Sequence, residues 1–271
     1  DFLYFCGQLY NQLAMSFLWE SIAFGPIRSR RLGNSLGINL LPTDVKICSF
    51  DCIYCECGWT LEKKIADTHF YPVDEVLKAI EIKLIHCKEN RIAIDSITFS
   101  GNGEPTLHPQ FGDIIEGLIQ LRNQYYPASV ITCLSNSTQL HKESVLKALQ
   151  KIENPILKLD AGTQEMLDVI NKPIIPISID EIVEHLVSFK GNLIIQTLFF
   201  AGEIEGVQFD NSSDPDFSLW LQCIEKIAPK KVMLYSLDRE TPAHHLQKFT
   251  KEKLETIANR VREAGFITEV Y

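Results

Sequence analysis

Short apolar segments alternate along this chain with longer segments whose apolar residues recur at helical spacing. In residues 72–89, Val73, Leu77 and Ile80 lie three or four positions apart, which predicts an amphipathic helix. Predicted helices cover residues 72–89, 109–123, 141–150, 164–170, 180–189, 216–227 and 250–264. Predicted strands cover residues 35–40, 94–99, 129–134, 156–159, 192–200 and 231–237, with residues 266–270 as a candidate extra strand.

Nearly continuous apolar strands separated by helices are typical of a parallel sheet that is covered by helices. Six strand–helix units of this kind build an open or partial (β/α) barrel, and a doubly wound sheet is the alternative that periodicity does not exclude. In both architectures the site lies at the carboxyl ends of the strands. We therefore expect the functional residues in the segments that follow the strands.

The composition is that of an ordinary globular protein, since 45% of the 271 residues are hydrophobic and 23% are charged. This length accommodates one large α/β domain or two small ones. The formal net charge of −9 argues against a duplex-binding module, which normally presents a basic face. No apolar stretch reaches the roughly 18 to 20 residues that a membrane span needs.

The start of the chain, residues 1–6, is mostly apolar but lacks the basic region of a signal peptide. Met15 precedes the first segment with the pattern of a folded domain. We interpret residues 1–14 as a leader extension or a misassigned start, and residues 15–271 as a single domain.

Eight cysteines are unevenly distributed along the chain. Cys48, Cys52, Cys55 and Cys57 fall within ten residues, whereas the other four are scattered. A disulfide framework of a secreted protein does not explain this clustering. The distribution predicts a reducing compartment, the cytoplasm, with metal chemistry at the clustered cysteines.

The first three clustered cysteines are separated by three and then two residues, so one short loop can direct all three sulfurs at a single metal centre. Soft thiolates select zinc, copper(I) or iron–sulfur clusters. A four-iron cluster usually has four cysteine ligands, so three leave one iron open to an outside ligand. A structural zinc site with Cys57 as fourth ligand is the alternative, although such sites usually use two separated pairs.

A glycine-rich segment, residues 100–106, follows the second predicted strand. Gly101 and Gly103 allow a ligand to approach the backbone closely, and the carboxylate of Glu104 can hold an ammonium group. Considered by itself, the segment is a turn before a helix.

Polar residues also follow or interrupt the next three predicted strands. Asn136 follows the third strand and can be a helix cap or a site residue. Asp160 follows the fourth, where a carboxylate can accept from a ribose hydroxyl. Gln196 interrupts the apolar fifth strand, and a buried amide needs partners, either in the backbone or in a ligand.

Tyr235 lies near the end of the sixth predicted strand, and Asp238 and Arg239 follow it. These three residues are the candidates for catalysis and substrate binding, with a loop salt bridge as the alternative. The basic run at residues 28–31 stands out in an acidic chain. It is either a solvated face or a binding site for an anionic substrate group or a phosphate backbone.

The segment Cys48-x-x-x-Cys52-x-Tyr54-Cys55 resembles the signature of the radical S-adenosylmethionine (SAM) superfamily. The resemblance implies an α/β fold, a partial (β/α)6 barrel, with a [4Fe–4S] cluster on these three cysteines. In that family the open iron binds the amino and carboxylate groups of SAM. The reduced cluster then cleaves SAM to methionine and a 5′-deoxyadenosyl radical, which abstracts hydrogen from a substrate.

The resemblance also implies roles for individual side chains. Tyr54 packs near the adenine, the glycine-rich segment contacts the methionine part of SAM, and Asp160 contacts the ribose. The predicted cofactor-binding residues are Tyr54, Gly101, Gly103, Glu104, Asn136, Asp160 and Gln196. Cys57 lies outside the signature, and we interpret it as structural or, as the alternative, part of a substrate site.

The wider sequence pattern is similar to a group of iron–sulfur oxidoreductases of unassigned substrate, related to the wyosine-forming enzymes that modify a tRNA guanine. Those relatives carry a second cluster on additional cysteines before the signature, whereas only Cys6 precedes it here. The implied partners are a reductant such as flavodoxin or ferredoxin and an unknown substrate, namely a small molecule, a peptide or tRNA. The alternatives are a tRNA-modifying enzyme similar to those of wyosine synthesis and a non-catalytic thiolate metal or electron-carrier protein.

Overall fold

The computed structural model describes residues 17–60, 65 and 68–271. The predicted leader at residues 1–14, with Cys6, lies outside the described residues. The strands are β1 (Ala23–Ser29), β2 (Gly33–Ile38), β3 (Ser96–Phe99), β4 (Val130–Ser135), β5 (Asn154–Lys158), β6 (Ile194–Leu198), β7 (Phe200–Ile204), β8 (Val207–Asp210), β9 (Lys231–Tyr235), β10 (Leu246–Lys248) and β11 (Thr268–Val270). The helices are α1 (Val73–Glu89), α2 (Phe111–Tyr125), α3 (Glu143–Leu149), α4 (Gln164–Ile170), α5 (Ile179–Val187), α6 (Asp216–Ile227) and α7 (Lys251–Glu263), with a 3₁₀ turn at Pro105–Leu107.

One mostly parallel sheet forms the centre of the fold. Its strand order within the described residues is β1-β2-β3-β4-β5-β6-β9-β11. Only β1 runs antiparallel to its neighbour, and the register aligns Leu36 with Ile97 and Ile97 with Ile131. All four residues of β3 are buried, as expected for a parallel strand that is covered on both faces. The predicted α/β class is confirmed.

The helices pack on the sheet through single apolar faces. In α1 the buried residues are Val76, Ile80, Leu84 and Cys87, which are three or four positions apart. The predicted helices 164–170 and 216–227 match α4 and α6, and the ends of the other predicted helices differ from the structure by at most two residues. None of the helices in the described part of the chain combines the length and apolar character that a membrane span requires.

Several strands differ from the prediction. The segment predicted as one strand over residues 192–200 is divided between β6 and the start of β7. A second sheet, β10-β7-β8, is antiparallel throughout and was not predicted. Strand β1 was not predicted either, because Gly25, Pro26 and Arg28 interrupt its apolar pattern, and its pairing with β2 decides its conformation.

The carboxyl ends of the parallel strands meet at one edge of the sheet. The cysteine loop follows β2, the glycine-rich segment follows β3, and Asn136 comes directly after β4. Lys158 ends β5, and Tyr235 ends β9. Because neighbouring parallel strands point the same way, these residues surround a common space.

Candidate functional site

Backbone hydrogen bonds fix the cysteine loop on two sides. On one side, Ile53 N donates to Ile170 O over 3.1 Å, and Asp51 N donates to Asn171 O over 3.0 Å. On the other side, Ile47 N donates to Asn102 O over 2.9 Å. The loop is therefore positioned by the end of α4 and by the glycine-rich segment, which are far from it in sequence.

Gly101 and Gly103 are required by this packing. Both have positive φ angles, +150° and +134°. A Cβ atom on Gly103 would overlap the backbone carbonyl of Ile47, and one on Gly101 would overlap the side chain of Asn39. The glycines therefore allow the segment after β3 to approach the cysteine loop, as well as leaving backbone accessible to a ligand.

The three signature cysteines line one cavity of about 300 Å³, which we call the cysteine cavity. An amide donor lies near two of the sulfurs: Asn136 Nδ2 is 3.5 Å from Cys48 Sγ, and Asn171 Nδ2 is 3.4 Å from Cys52 Sγ. The predicted residues that line this cavity are Tyr54, Gly101, Gly103, Glu104, Asn136, Gln196 and Tyr235, together with Cys57.

A buried lysine that the sequence analysis did not identify lies beside the thiols. Lys46 is 3% exposed, its Nζ donates to Gly58 O over 2.8 Å, and it lies 3.8 Å from Asp51 Oδ1. Burial lowers the pKa of Lys46, but the negative charges of Cys55, Cys48 and Cys52 outweigh burial and keep the pKa above its usual value. Lys46 is thus a fixed positive charge that compensates the negative charge of the ionised thiols.

The thiols differ in their tendency to ionise. Burial raises the pKa of Cys48 to about 12, although Lys46 acts in the opposite direction. A hydrogen bond from the Cys57 thiol lowers the pKa of Cys55, and Lys46 adds to this effect. Cys57 also lies 3.4 Å from Gly101 O, so it contacts both the cysteine loop and the glycine-rich segment.

The carboxylate of Glu104 connects the segment after β3 to the end of β4 through hydrogen bonds in the cavity wall. Its Oε1 accepts from Thr106 N over 3.0 Å and from Ser135 Oγ over 2.9 Å, and its Oε2 accepts from Asn136 N over 2.7 Å. Burial raises the pKa of Glu104, although these hydrogen bonds oppose the shift. The carboxylate lines the cavity while its protein partners hold it rigidly.

Asp160 lies behind the cavity wall and does not line the cavity. Its Oδ1 accepts from Leu198 N over 2.9 Å, and its Oδ2 accepts from the Tyr54 hydroxyl and from Asn171 Nδ2. Both carboxylate oxygens thus have protein partners. The structure gives Asp160 a contact with Tyr54, and the ribose contact expected from the sequence stays a prediction.

Lys158 connects this buried network to Tyr235 and was not predicted as a site residue. Its Nζ lies 3.3 Å from Asp160 Oδ2, 3.1 Å from Tyr235 Oη and 4.9 Å from the centroid of the Tyr54 ring. Burial lowers the pKa of Lys158, but the charge of Asp160 outweighs it. The sequence signal that could have identified Lys158 as a site residue is its position as a charged residue at the end of an apolar strand.

Asn136 and Gln196, two predicted residues that line the cavity, differ in whether their side-chain amides already have hydrogen-bond partners within the protein. Asn136 is engaged within the protein, because its Nδ2 donates to Ser49 Oγ over 2.9 Å and its Oδ1 accepts from Thr138 N over 3.1 Å. Gln196 is 8% exposed and faces the cavity from β6. Its amide makes no hydrogen bond to any residue that the structure describes, so it is available to a ligand.

A second cavity of about 330 Å³ lies between the β1–β2 hairpin and the segment after β9; we call it the arginine cavity. Asp238 and Arg239 line it and form ion pairs, in agreement with the salt-bridge alternative: Arg30 Nη2 lies 2.6 Å from Asp238 Oδ2, and Arg239 Nη1 lies 2.8 Å from Glu56 Oε2. Its other lining residues include Arg28, Arg31, Tyr54 and Tyr235. Tyr54 and Tyr235 belong to both cavities, so the two adjoin.

The donor set of the cysteine cavity suits an iron–sulfur cluster. Three soft thiols share one cavity wall, and an adjacent lysine offsets their charge. No three ligating side chains within residues 17–60, 65 and 68–271 converge tightly enough to enclose a single metal ion.

Comparison with known proteins assigns the family. The model of the radical SAM superfamily matches residues 44–205, more than half of the chain. The chain belongs to the radical SAM superfamily. Members of this superfamily use a [4Fe–4S] cluster and SAM, which are therefore the cofactors that the family assigns to this chain. The matched span contains the three cysteines and Gln196 but not the β1–β2 hairpin or Tyr235.

Similar proteins support the assignment. A UPF0026 protein of Methanocaldococcus jannaschii is 36% identical over 182 residues, which are 66% of this chain and 54% of that protein. A radical SAM methyltransferase from Sphaerobacter thermophilus superposes with a TM-score of 0.63 at 14% identity, covering 88% of this chain and 65% of that one. Native anSMEcpe with bound AdoMet superposes with a TM-score of 0.56 at 16% identity, covering 87% and 63%.

These structures have the radical SAM fold, so the open sheet is a partial barrel of that type. The chain spans about half the length of the Methanocaldococcus relative.

Proposed function

We propose that this chain is an enzyme that cleaves SAM reductively and abstracts hydrogen from a substrate, with a [4Fe–4S] cluster on Cys48, Cys52 and Cys55 supplying the electron. The observation that supports this proposal is the cysteine cavity itself. Three thiols from one loop face a space whose other walls are strand ends with ligand-accessible backbone and an unpaired amide.

The chain's own residues have distinct tasks in this proposal. Tyr54 packs against the adenine, and its hydroxyl is fixed by Asp160, which acts through Tyr54. Gly101, Gly103 and the carboxylate of Glu104 face the methionine part of SAM. Asn136 and Asn171 bind the cysteine loop to the ends of β4 and α4 through their side-chain amides.

The substrate occupies the arginine cavity, because that cavity adjoins the cysteine cavity along Tyr54 and Tyr235. Lys158 holds Tyr235 from inside through a hydrogen bond to its hydroxyl. Asp238 and Arg239 border the outer side of the cavity in exposed ion pairs that can exchange partners when a substrate binds. The electron comes from a reductant such as flavodoxin or ferredoxin, and the free thiols suit the cytoplasm.

The test is anaerobic reconstitution with iron and sulfide, followed by dithionite and SAM. We expect release of 5′-deoxyadenosine and methionine. Cys52→Ala loses both the cluster and the products, whereas the matched control Cys223→Ala, a cysteine on α6 outside both cavities, retains them. A protein with a full iron complement that releases no 5′-deoxyadenosine contradicts the proposal and favours a non-catalytic electron carrier.

A further inference from the structure

Arg31, at the junction of the two cavities, has no anionic partner in the part of the chain that the structure describes. It lies in the turn between β1 and β2 and lines both the cysteine cavity and the arginine cavity. Its Nη1 atom is buried and donates no hydrogen bond to any residue that the structure describes. The guanidinium carbon lies 4.9 Å from the centroid of the Tyr235 ring, which fixes its position.

Two of the other three arginines at this cavity have carboxylate partners, and the third, Arg28, is exposed to solvent. Arg30 pairs with Asp238, and Arg239 pairs with Glu56. Arg31 has no ion pair within the described residues, in a chain that has 35 acidic and 26 basic residues. A buried charged donor without an acceptor is costly, so an anion that completes this site binds with a gain in free energy.

The surroundings of Arg31 also restrict what the anion belongs to. Aromatic rings line the arginine cavity, and those of Trp19 and Phe24 stack with their centroids 3.7 Å apart. A cavity of about 330 Å³ with such walls holds an organic molecule. The planar fork of a guanidinium matches the two oxygens of a carboxylate or a phosphate.

We propose that the arginine cavity binds a substrate that carries an anionic oxygen group, a carboxylate or a phosphate, and that Arg31 binds this group. Anchoring at Arg31 holds the rest of the molecule along Tyr235 and Tyr54, the wall shared with the cysteine cavity. The identification of the molecule as a substrate rests on the proposed function, whereas the binding of the anion does not.

The test is calorimetric titration of the purified protein with three probes of similar size, at one fixed low salt concentration. Benzoate and phenyl phosphate represent the two anions, and neutral benzamide is the control. We expect saturable binding of at least one anion and none of benzamide. Arg31→Gln weakens anion binding about 10- to 100-fold, the range for loss of hydrogen bonds to a charged group. Arg31→Lys, which keeps the charge without the fork, weakens it less.

Arg91→Gln is the matched control, because it removes an arginine charge at an exposed position outside both cavities. We expect it to change anion binding less than about threefold, as for other exposed charges. Equal losses in Arg91→Gln and Arg31→Gln, equal binding of benzamide, or no anion binding by the wild type overturns the proposal. Loss of SAM binding in Arg31→Gln in parallel with benzoate also overturns it, since Arg31 then holds the SAM carboxylate. These titrations need no catalysis, so their failure is distinct from a failure to cleave SAM.

Discussion

The cysteine cavity and the arginine cavity share Tyr54 and Tyr235 but differ in how far their charged side chains are exposed to solvent. In the cysteine cavity, Lys46 and Glu104 are buried, Lys158 is partly buried, and each has more than one protein partner. In the arginine cavity, the paired side chains of Arg30, Asp238 and Arg239 are 66%, 45% and 63% exposed. Buried networks fix geometry, whereas exposed ion pairs are weak and rearrange easily.

This difference agrees with the extent of the family match. Residues 44–205 contain the buried network, whereas the β1–β2 hairpin and Tyr235 lie outside the matched span. We infer that the rigid side performs the chemistry common to the superfamily and that the exposed side selects the substrate. Substitutions on the two sides should therefore differ in size and in kind.

The largest effect on folding is expected at Glu104. Glu104→Ala leaves Asn136 N, Ser135 Oγ and Thr106 N without their acceptor inside the protein. We expect the free energy of unfolding to fall by about 3 to 5 kcal/mol, because each buried donor left without an acceptor costs about 1 to 3 kcal/mol. Urea unfolding measures this change. Glu143→Ala, which removes an exposed partner of Lys147, is the control with a small effect. Similar losses in both variants would show that the Glu104 network is not stabilising.

Lys46 is expected to affect the electrochemistry of the rigid side. A reduced cluster carries one more negative charge, so Lys46→Met lowers its midpoint potential, on the order of 100 mV for a charge a few ångströms away. Lys46→Arg keeps the charge, so its midpoint potential should stay close to that of the wild type. Redox titration followed by electron paramagnetic resonance measures both. The control Lys172→Met removes a more exposed lysine paired with Glu205 and shifts the potential much less. Identical midpoint potentials in Lys46→Met and wild type would contradict the claim that the charge of Lys46 stabilises the reduced cluster.

A smaller effect is expected at Tyr54, which belongs to both cavities. Tyr54→Phe removes the hydroxyl that donates to the buried carboxylate of Asp160. We expect a loss of about 1 to 3 kcal/mol in the free energy of unfolding and weaker SAM binding. Tyr126→Phe removes an exposed hydroxyl that donates to Ile92 O and serves as the control. Unchanged stability in Tyr54→Phe would mean that Asp160 does not depend on this donor.

The smallest effect is expected at Asp238, on the exposed side. Asp238→Asn removes ion pairs with Arg30 and Lys248, at a cost of about 0.2 to 1 kcal/mol. The hydrogen bond from Lys248 and the nearby Arg30 lower the pKa of Asp238. Its contribution is thus present above the usual pKa of 3.8 and is lost as the pH falls through the lowered value. Urea unfolding across this range should show the difference between Asp238→Asn and wild type disappearing at low pH. A constant difference would exclude the ion pairs as its cause.

Most of the central sheet could be predicted because its strands are buried on both faces, which leaves an apolar pattern in the sequence. Strand β1 and the sheet of β7, β8 and β10 could not, because their residues are partly exposed and give no continuous apolar pattern, and because β10 pairs with β7 from a distant segment. Local pattern carries no information about such pairs.

The candidate site was predictable to the extent that its signal was local. The spacing of Cys48, Cys52 and Cys55 is contained in one loop. In contrast, Asn171 reaches Cys52 from 119 positions away, and only the packing of α4 on the loop reveals the contact. The position of Asp160 after its strand was correct, but the turn of the backbone directs its carboxylate to Leu198 N and Tyr54.

The central claim is that three sulfurs hold a cluster and leave one iron for SAM. Its most direct test is the electron paramagnetic resonance spectrum of the anaerobically reconstituted, reduced protein before and after addition of SAM. We predict a [4Fe–4S] signal whose shape changes when SAM binds the open iron. A signal that SAM leaves unaltered, or a protein that holds zinc and accepts no cluster, would contradict the account.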